Sequence, residues 1–460
     1  MNIPEHVFRE YDVRGLVKDE LTPEFAEQLG GAFASLLLER TGARAQAVIL
    51  GRDHRTSSPG LAQGFARGVA RFGLDVLDIG VVPTPGAYFA AHTLPADGFC
   101  QITGSHNPPE YNGFKVGIGT ATLAGPEVQE LKRHALSPRE PKAPRRGRAI
   151  EIDVLRNYRD VIVQTLGPAK KRLKVVVDPG NGTGALVGPE LLRRLGHQVV
   201  ELYCDLDGTF PNHHPDPTVE ENLEDLKSRV RETGADLGIA YDGDADRVGA
   251  VDEHGHVLWG DQLMILFARD VLREHPGAAI VSEVKCSQTL YDDIDEHGGR
   301  AIMWKAGHSL IKAKMKEEGA LLAGEMSGHI FFKHRWYGFD DGIYSSARLL
   351  DLVARDGRPL SKMLDGVPKT WASPEIRFEI PESKKFAAVE SAKHKLRKHG
   401  KTIEVDGVRV ILDGGWGLVR ASNTQPLLVL RYEATSEKRL KEIRALIEGT
   451  VEEIKQELGA

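Results

Sequence analysis

Three stretches of this chain follow one plan: an apolar strand, a polar loop, an amphipathic helix, a glycine and a second apolar strand. The first runs from Ala47-Val-Ile-Leu-Gly-Arg-Asp53 to Phe72-Gly-Leu-Asp-Val-Leu-Asp78. The second runs from Lys174-Val-Val-Val-Asp-Pro-Gly-Asn-Gly-Thr-Gly184 to Leu195-Gly-His-Gln-Val-Val-Glu201, and the third from Ala279-Ile-Val-Ser-Glu-Val-Lys285 to Gly298-Gly-Arg-Ala-Ile-Met-Trp304. A strand–helix–strand segment of this length is a βαβ-type crossover, so each copy predicts a sheet covered by helices. Copies spaced by roughly a hundred residues predict three related α/β domains.

Residues 141–148, Pro-Lys-Ala-Pro-Arg-Arg-Gly-Arg, read as a linker closing the first unit. Beyond residue 367 the pattern changes. Strands are expected at 402–405, 408–412, 417–420 and 427–432, followed by a helix over 436–458, which describes an α+β domain of another kind. The expected architecture is therefore three mixed α/β domains (1–149, 150–254, 255–367) and a C-terminal α+β domain (368–460) around a central cleft.

A net charge of -6 argues against a nucleic-acid surface, so an anionic ligand must be met by a local cluster of Arg, Lys and His. Cys100, Cys204 and Cys286 are far apart and lack Cys-x-x-Cys spacing, which points to a reducing compartment and away from a zinc site. The amino-terminal segment is charged and no apolar run approaches membrane-spanning length, so a cytoplasmic location with no membrane partner is expected.

Five segments carry the chemistry. Thr103-Gly-Ser105-His-Asn-Pro108 follows the apolar Gly98-Phe-Cys-Gln-Ile102, and its glycine and prolines turn the strand into a loop that presents a serine at its tip. The flanks lack the glycines of a nucleophile elbow, and the adjacent His106 is a poor general base for Ser105, because neighbouring side chains on an extended backbone point apart. Asp242-Gly-Asp244-Ala-Asp246-Arg247 follows a second apolar strand, and its alternating carboxylates can converge on Mg²⁺ or Ca²⁺. An EF-hand is excluded by Arg247 at the sixth position, where glycine is needed, and by flanking strands. Gly324-Glu325-Met-Ser327-Gly-His329 offers one carboxylate to a vicinal diol. Arg420-Ala-Ser422-Asn423-Thr424 is a donor-rich loop without acids, suited to a phosphate dianion. Arg9-Glu-Tyr11-Asp-Val-Arg14-Gly15 adds an aromatic and a guanidinium. A rival signal is Asp205-Leu-Asp207-Gly-Thr209, the Asp-x-Asp-Gly-Thr pattern of haloacid dehalogenase phosphatases, although the prolines of 211–217 oppose the helix that fold needs next.

In this order the segments resemble the α-D-phosphohexomutases, specifically the bacterial phosphomannomutase/phosphoglucomutase branch, and the likeness runs along the whole chain. It implies an isomerase interconverting hexose 1-phosphate and hexose 6-phosphate of mannose, glucose or both, with Ser105 carried as a phosphoserine. Asp242, Asp244 and Asp246 would hold Mg²⁺ together with a phosphoserine oxygen, beside Arg247. Glu325 and Ser327 would grip sugar hydroxyls, and Arg420, Ser422, Asn423 and Thr424 the phosphate that is not reacting. Tyr11, Arg14, Lys115, Lys285, His308, His329 and Arg431 match further active-site positions of the family, and Lys115 or His308 is expected to move the sugar proton. The resemblance also implies glucose or mannose 1,6-bisphosphate as intermediate and activator. The stretch from Asp205 resembles a recurrent family segment. The alternatives are a phosphoglucosamine mutase, a phosphatase using Asp205, and a silent sugar-phosphate binder.

Overall fold

The computed structural model describes residues 3–139, 145–422 and 425–459. Each repeated strand pair forms two parallel neighbours: Ala47–Arg52 with Asp75–Val81, Lys174–Asp178 with Gln198–Glu201, and Ala279–Glu283 with Arg300–Trp304. The crossovers are the helices Ser58–Arg71, Gly188–Arg194 and Gln288–Glu296. A second crossover, through Thr84–Thr93, Glu224–Thr233 or His308–Glu318, then brings a third parallel strand to the other side of the first. These third strands are Gly98–Ile102, Leu237–Tyr241 and Leu322–Gly324, and each turns directly into an antiparallel fourth: Tyr111–Ile118, Val248–Asp252 and Ile330–Phe332. The inner strands are buried along nearly their whole length, as expected where helices cover both faces of a sheet.

The three chemistry-bearing loops thus occupy one topological position. Ser105, the Asp242–Asp246 carboxylates and Glu325 all follow the third strand, at the carboxyl edge where the sheet changes direction. Open α/β sheets bind ligands at such edges. Each loop also places a residue in the left-handed region: Ser105 (φ 47°), Ala245 (φ 58°) and Gly328 (φ 88°).

The C-terminal domain is an antiparallel sheet in the order Trp371–Ala372, Leu427–Ala434, Gly415–Ala421, Val408–Leu412, Lys401–Ile403, with Ile376–Glu379 also paired to Leu427–Ala434. Helices Lys385–Leu396 and Glu437–Leu458 cover it. Its core is its own, whereas Ile49, Phe89, Val177, Leu191, Ile280 and Leu350 belong to one apolar cluster shared by the three α/β units. At the C-terminal domain's join with the third unit, Val284 packs on Trp416 and Leu418, and buried Arg409, 3.7 Å over the Trp416 ring, donates to the carbonyls of Val284 and Cys286.

Two expectations about the first boundary shift. Ala149–Glu151 pairs with Asp75–Val81, so a break after residue 149 falls inside a strand of the first sheet. Residues 140–144 lie outside the described residues, but 145–148 are laid along the first unit rather than spanning a gap. Arg145 pairs with Asp75, and Gly147 N–H donates to Ala70. No described helix is long and apolar enough to cross a membrane.

Candidate active site

The serine loop and the aspartate loop meet across the first two units. Ser105 Oγ donates to Asp242 Oδ2 at 2.8 Å. Gly243 stands against the Ser105 carbonyl, where a Cβ would collide with it. Asp244 Oδ2 accepts from Thr84 Oγ1 (2.6 Å), Thr103 Oγ1 (3.1 Å) and Lys115 Nζ (2.8 Å), and Lys115 reaches Asp246 Oδ2 at 2.5 Å. Lys115 comes from Tyr111–Ile118, the strand after the serine loop, so the hairpin that presents Ser105 also presents the ammonium.

All three carboxylates are fully buried, with ligand oxygens within 4.8 Å of one another. Burial, then the charges of Asp246 and Asp244, push Asp242 well above the usual carboxylate range. Asp244 goes the other way: burial would raise it, but the charge and hydrogen bond of Lys115 hold it far below. Among the described residues, Asp244 Oδ1 and Asp246 Oδ1 are buried without a hydrogen-bond partner. Orphaned hard oxygens in a set too negative for one ammonium fit a small divalent cation such as Mg²⁺.

The adjacent histidine departs from the sequence expectation. With Ser105 at φ 47° the backbone is not extended, and His106 Nδ1 lies 3.1 Å from Ser105 Oγ. Burial, then the Arg247 charge, keep the His106 pKa well below its ordinary value.

Arg247 joins the second unit to the third. Its Nε donates to His329 Nε2 at 2.9 Å, and Val248 N–H donates to the Gly328 carbonyl. His329 Nδ1 faces buried Asp340 at 3.2 Å and Asp246 at 3.5 Å. His308 opens the helix His308–Glu318, with its ring against Tyr11 and His329. Burial, then the Lys312 charge, hold the His308 pKa well below its ordinary value. Tyr11 donates to the Ala306 carbonyl at 3.1 Å, and Arg14 donates to Asp12 and to Asn107 of the serine loop.

Around Glu325, Ser327 Oγ and Gly307 N–H donate to its two oxygens. Lys285 lies between Glu375 (3.2 Å) and Glu283 (3.5 Å). On the fourth domain, the pairings Arg409–Leu418, Leu418–Arg431 and Arg420–Val429 place the side chains of Arg409, Arg420 and Arg431 on one sheet face. Arg431 Nη2 stands 3.8 Å from Asp261. Ser422 is pinned at its carbonyl by buried Lys385, while Asn423 and Thr424 lie outside the described residues.

Several supporting residues carry no motif. Arg55, 1% exposed, donates to the carbonyls of Ser105, Asn107, Pro108 and Tyr111 and to Asp53. Asp53 in turn accepts from Gly104 N–H. One guanidinium therefore shapes the whole serine loop. The signal available was position: Asp53-His-Arg55 follows the apolar strand Ala47–Arg52 at the same sheet edge. Buried Glu283, pushed by burial up to about 7, accepts from Met326 N–H and so braces the Glu325 loop. We expect Arg55→Ala to lower stability by on the order of 3–5 kcal/mol, since Asp53 is left buried and loop carbonyls unpaired. Arg55→Lys should recover little, because an ammonium cannot fork to four carbonyls. Denaturant titration with parallel rate measurement checks both.

The rival phosphatase signal finds no such setting. Asp205 is exposed, Asp207 closes a small turn onto Thr209, and the chain continues without a helix to Val219.

This fold and this serine–aspartate site define a phosphohexomutase-type enzyme, an isomerase. Four family models match in order: "Phosphoglucomutase/phosphomannomutase, alpha/beta/alpha domain I" over residues 5–140, domain II over 156–255, domain III over 259–371 and the C-terminal domain over 375–449. The chain is 46% identical to a phosphomannomutase/phosphoglucomutase of Pseudomonas aeruginosa, across 99% of this chain and 97% of that one. It is 43% identical to a phosphoglucomutase of Neisseria meningitidis, across 98% of each. A crystal structure of a phosphoglucomutase/phosphomannomutase family protein from Burkholderia thailandensis superposes with a TM-score of 0.91 at 40% identity, covering 99% of this chain and 98% of that one. The chain belongs to the phosphoglucomutase/phosphomannomutase family of α-D-phosphohexomutases.

Proposed function

We propose that this enzyme interconverts the 1- and 6-phosphates of glucose and mannose through a phosphoserine at Ser105 and a hexose 1,6-bisphosphate. The observation that carries this reading is Ser105 Oγ at 2.8 Å from Asp242, in a carboxylate cluster on which an Arg, a Lys and two His also converge. Asp242, Asp244 and Asp246 would hold Mg²⁺, which when bound neutralises charge on the phosphoryl group.

The residues divide the remaining work. Arg247, kept charged because Asp216 and Asp242 outweigh the burial that would lower it, stabilises the equatorial phosphoryl oxygens. Glu325 and Ser327 orient the sugar hydroxyls, and Arg420 with the 422–424 loop takes the phosphate at the far end. As the phosphoserine P–O bond breaks and a bond to the sugar oxygen forms, the attacking hydroxyl loses its proton. We assign acceptance of that proton to His308, whose imidazole burial and the Lys312 charge bias toward the neutral form, and charge neutralisation to Lys115, whose ammonium is held by two carboxylates against burial. The bisphosphate then turns and returns its other phosphoryl group to Ser105.

Glucose and mannose differ at C2, and a loop that grips two other hydroxyls should tolerate both. The expected result is comparable rates on glucose 1-phosphate and mannose 1-phosphate, with a slower rate on glucosamine 1-phosphate. A preference for the amino sugar would move the assignment to a phosphoglucosamine mutase.

A further inference from the structure

Asp406 belongs to no motif, yet one of its oxygens joins two parts of the site. It sits in the turn between strands Lys401–Ile403 and Val408–Leu412. The next residue, Gly407, has φ 78° and stands against Val419 and Arg420, where a Cβ would collide, so the turn is pressed onto the strand carrying Arg420. Asp406 Oδ2 accepts from Arg420 Nε at 2.9 Å and from Ala306 N–H, in the third domain, at 3.0 Å.

What the carboxylate holds in the third domain is a junction. The Ala306 carbonyl accepts from Tyr11 of the first domain, Gly307 N–H donates to Glu325, and His308 begins its helix one residue later. We infer that Asp406 is a positioning residue that registers the phosphate-binding guanidinium of Arg420 against the 306–308 segment, so that the grip on the distal phosphate and the grip on the sugar hydroxyls form together. This rests on the mutase reading. Among the polar ties between the third and fourth domains, this one acts on the Arg420 guanidinium itself, which the apolar patch of Val284, Trp416 and Leu418 does not hold. A charge-assisted bond at Nε also orients the planar guanidinium, fixing the direction of its two terminal nitrogens.

The consequence concerns the bisphosphate. While it turns it is held only by whichever groups remain registered, so loosening Asp406 should let it escape. In Asp406→Ala we expect the KM for glucose 1-phosphate and the fraction of labelled glucose 1,6-bisphosphate released per turnover each to rise about tenfold, the scale of one lost charge-assisted hydrogen bond. Melting temperature should fall, because buried Arg420 and the Ala306 N–H lose their shared acceptor, while phosphate incorporation at Ser105 under saturating glucose 1,6-bisphosphate should stay at the wild-type value. Asp406→Asn keeps an oxygen able to accept both hydrogen bonds and should restore retention in large part. A lower melting temperature with unchanged KM and release would make Asp406 a structural residue only, and wild-type values of all three would overturn the inference outright. Wild-type protein assayed alongside separates the two readings: without mutase turnover or phosphate on Ser105 in that sample, the mutase reading itself fails.

Discussion

Ser105→Ala is expected to reduce mutase turnover by on the order of 10³-fold or more, because the proposed mechanism routes the phosphoryl group between the two sugar positions through this hydroxyl. The fold should survive. The substitution deletes one hydroxyl whose hydrogen bond to Asp242 is worth about 1 kcal/mol, and alanine at φ 47° is strained much as serine is. Intact-mass measurement after incubation with glucose 1,6-bisphosphate should find one added phosphoryl group on wild-type protein and none on the variant. Asp205→Asn should leave turnover unchanged. The opposite pair of results, an active Ser105→Ala and an inactive Asp205→Asn, would return the enzyme to the phosphatase reading. Near-wild-type turnover in Ser105→Ala by itself removes the phosphoserine scheme.

What the sequence made legible follows from range. The repeated units were readable because a fully covered parallel strand is a continuous apolar run, and the crossover that follows must be of helix length; the strand Gly98–Ile102 and the turn after it emerge as expected. The motifs were readable because each is contiguous. What escaped was non-local. Arg55 acts on residues about fifty positions away and Thr84 on Asp244 in another domain, so neither leaves a local pattern. Asp340 became visible only when the third sheet brought it beneath His329. Helix Lys385–Leu396 was also unmarked, since its buried Ala388, Val389, Ala392 and Leu396 form a thin stripe among lysines. His106 departs from the sequence expectation for a different reason: a period-two argument assumes extended backbone, and one left-handed residue turns adjacent side chains toward each other.

The aspartate loop supplies the second large effect, and here neighbouring residues should part company. Asp242→Asn and Asp244→Asn each remove a carboxylate oxygen from the proposed cation site, so each should lower turnover by on the order of 10³-fold. Their stabilities in chelator should differ in sign. Asp244 is held below the usual carboxylate range because Lys115 outweighs burial, so its ionised form stabilises the fold at neutral pH; that contribution is present above its unfolded pKa and fades as pH falls toward the folded one. Asparagine there removes the charge beside a buried ammonium and presents an amide where three donors converge on Oδ2, a loss on the order of 3 kcal/mol. Asp242 is the reverse. Burial and its two acidic neighbours raise its pKa, so its charge opposes folding when no cation is present, and Asp242→Asn should melt at or above the wild-type temperature. Adding Mg²⁺ at 100 times its Kd should stabilise wild-type protein by about 2.7 kcal/mol and both variants by far less. Calorimetry in chelator and in Mg²⁺ reads all of these, and Asp242→Asn melting well below wild type in chelator would mean that the three carboxylates are not in the electrostatic conflict from which the cation site is proposed.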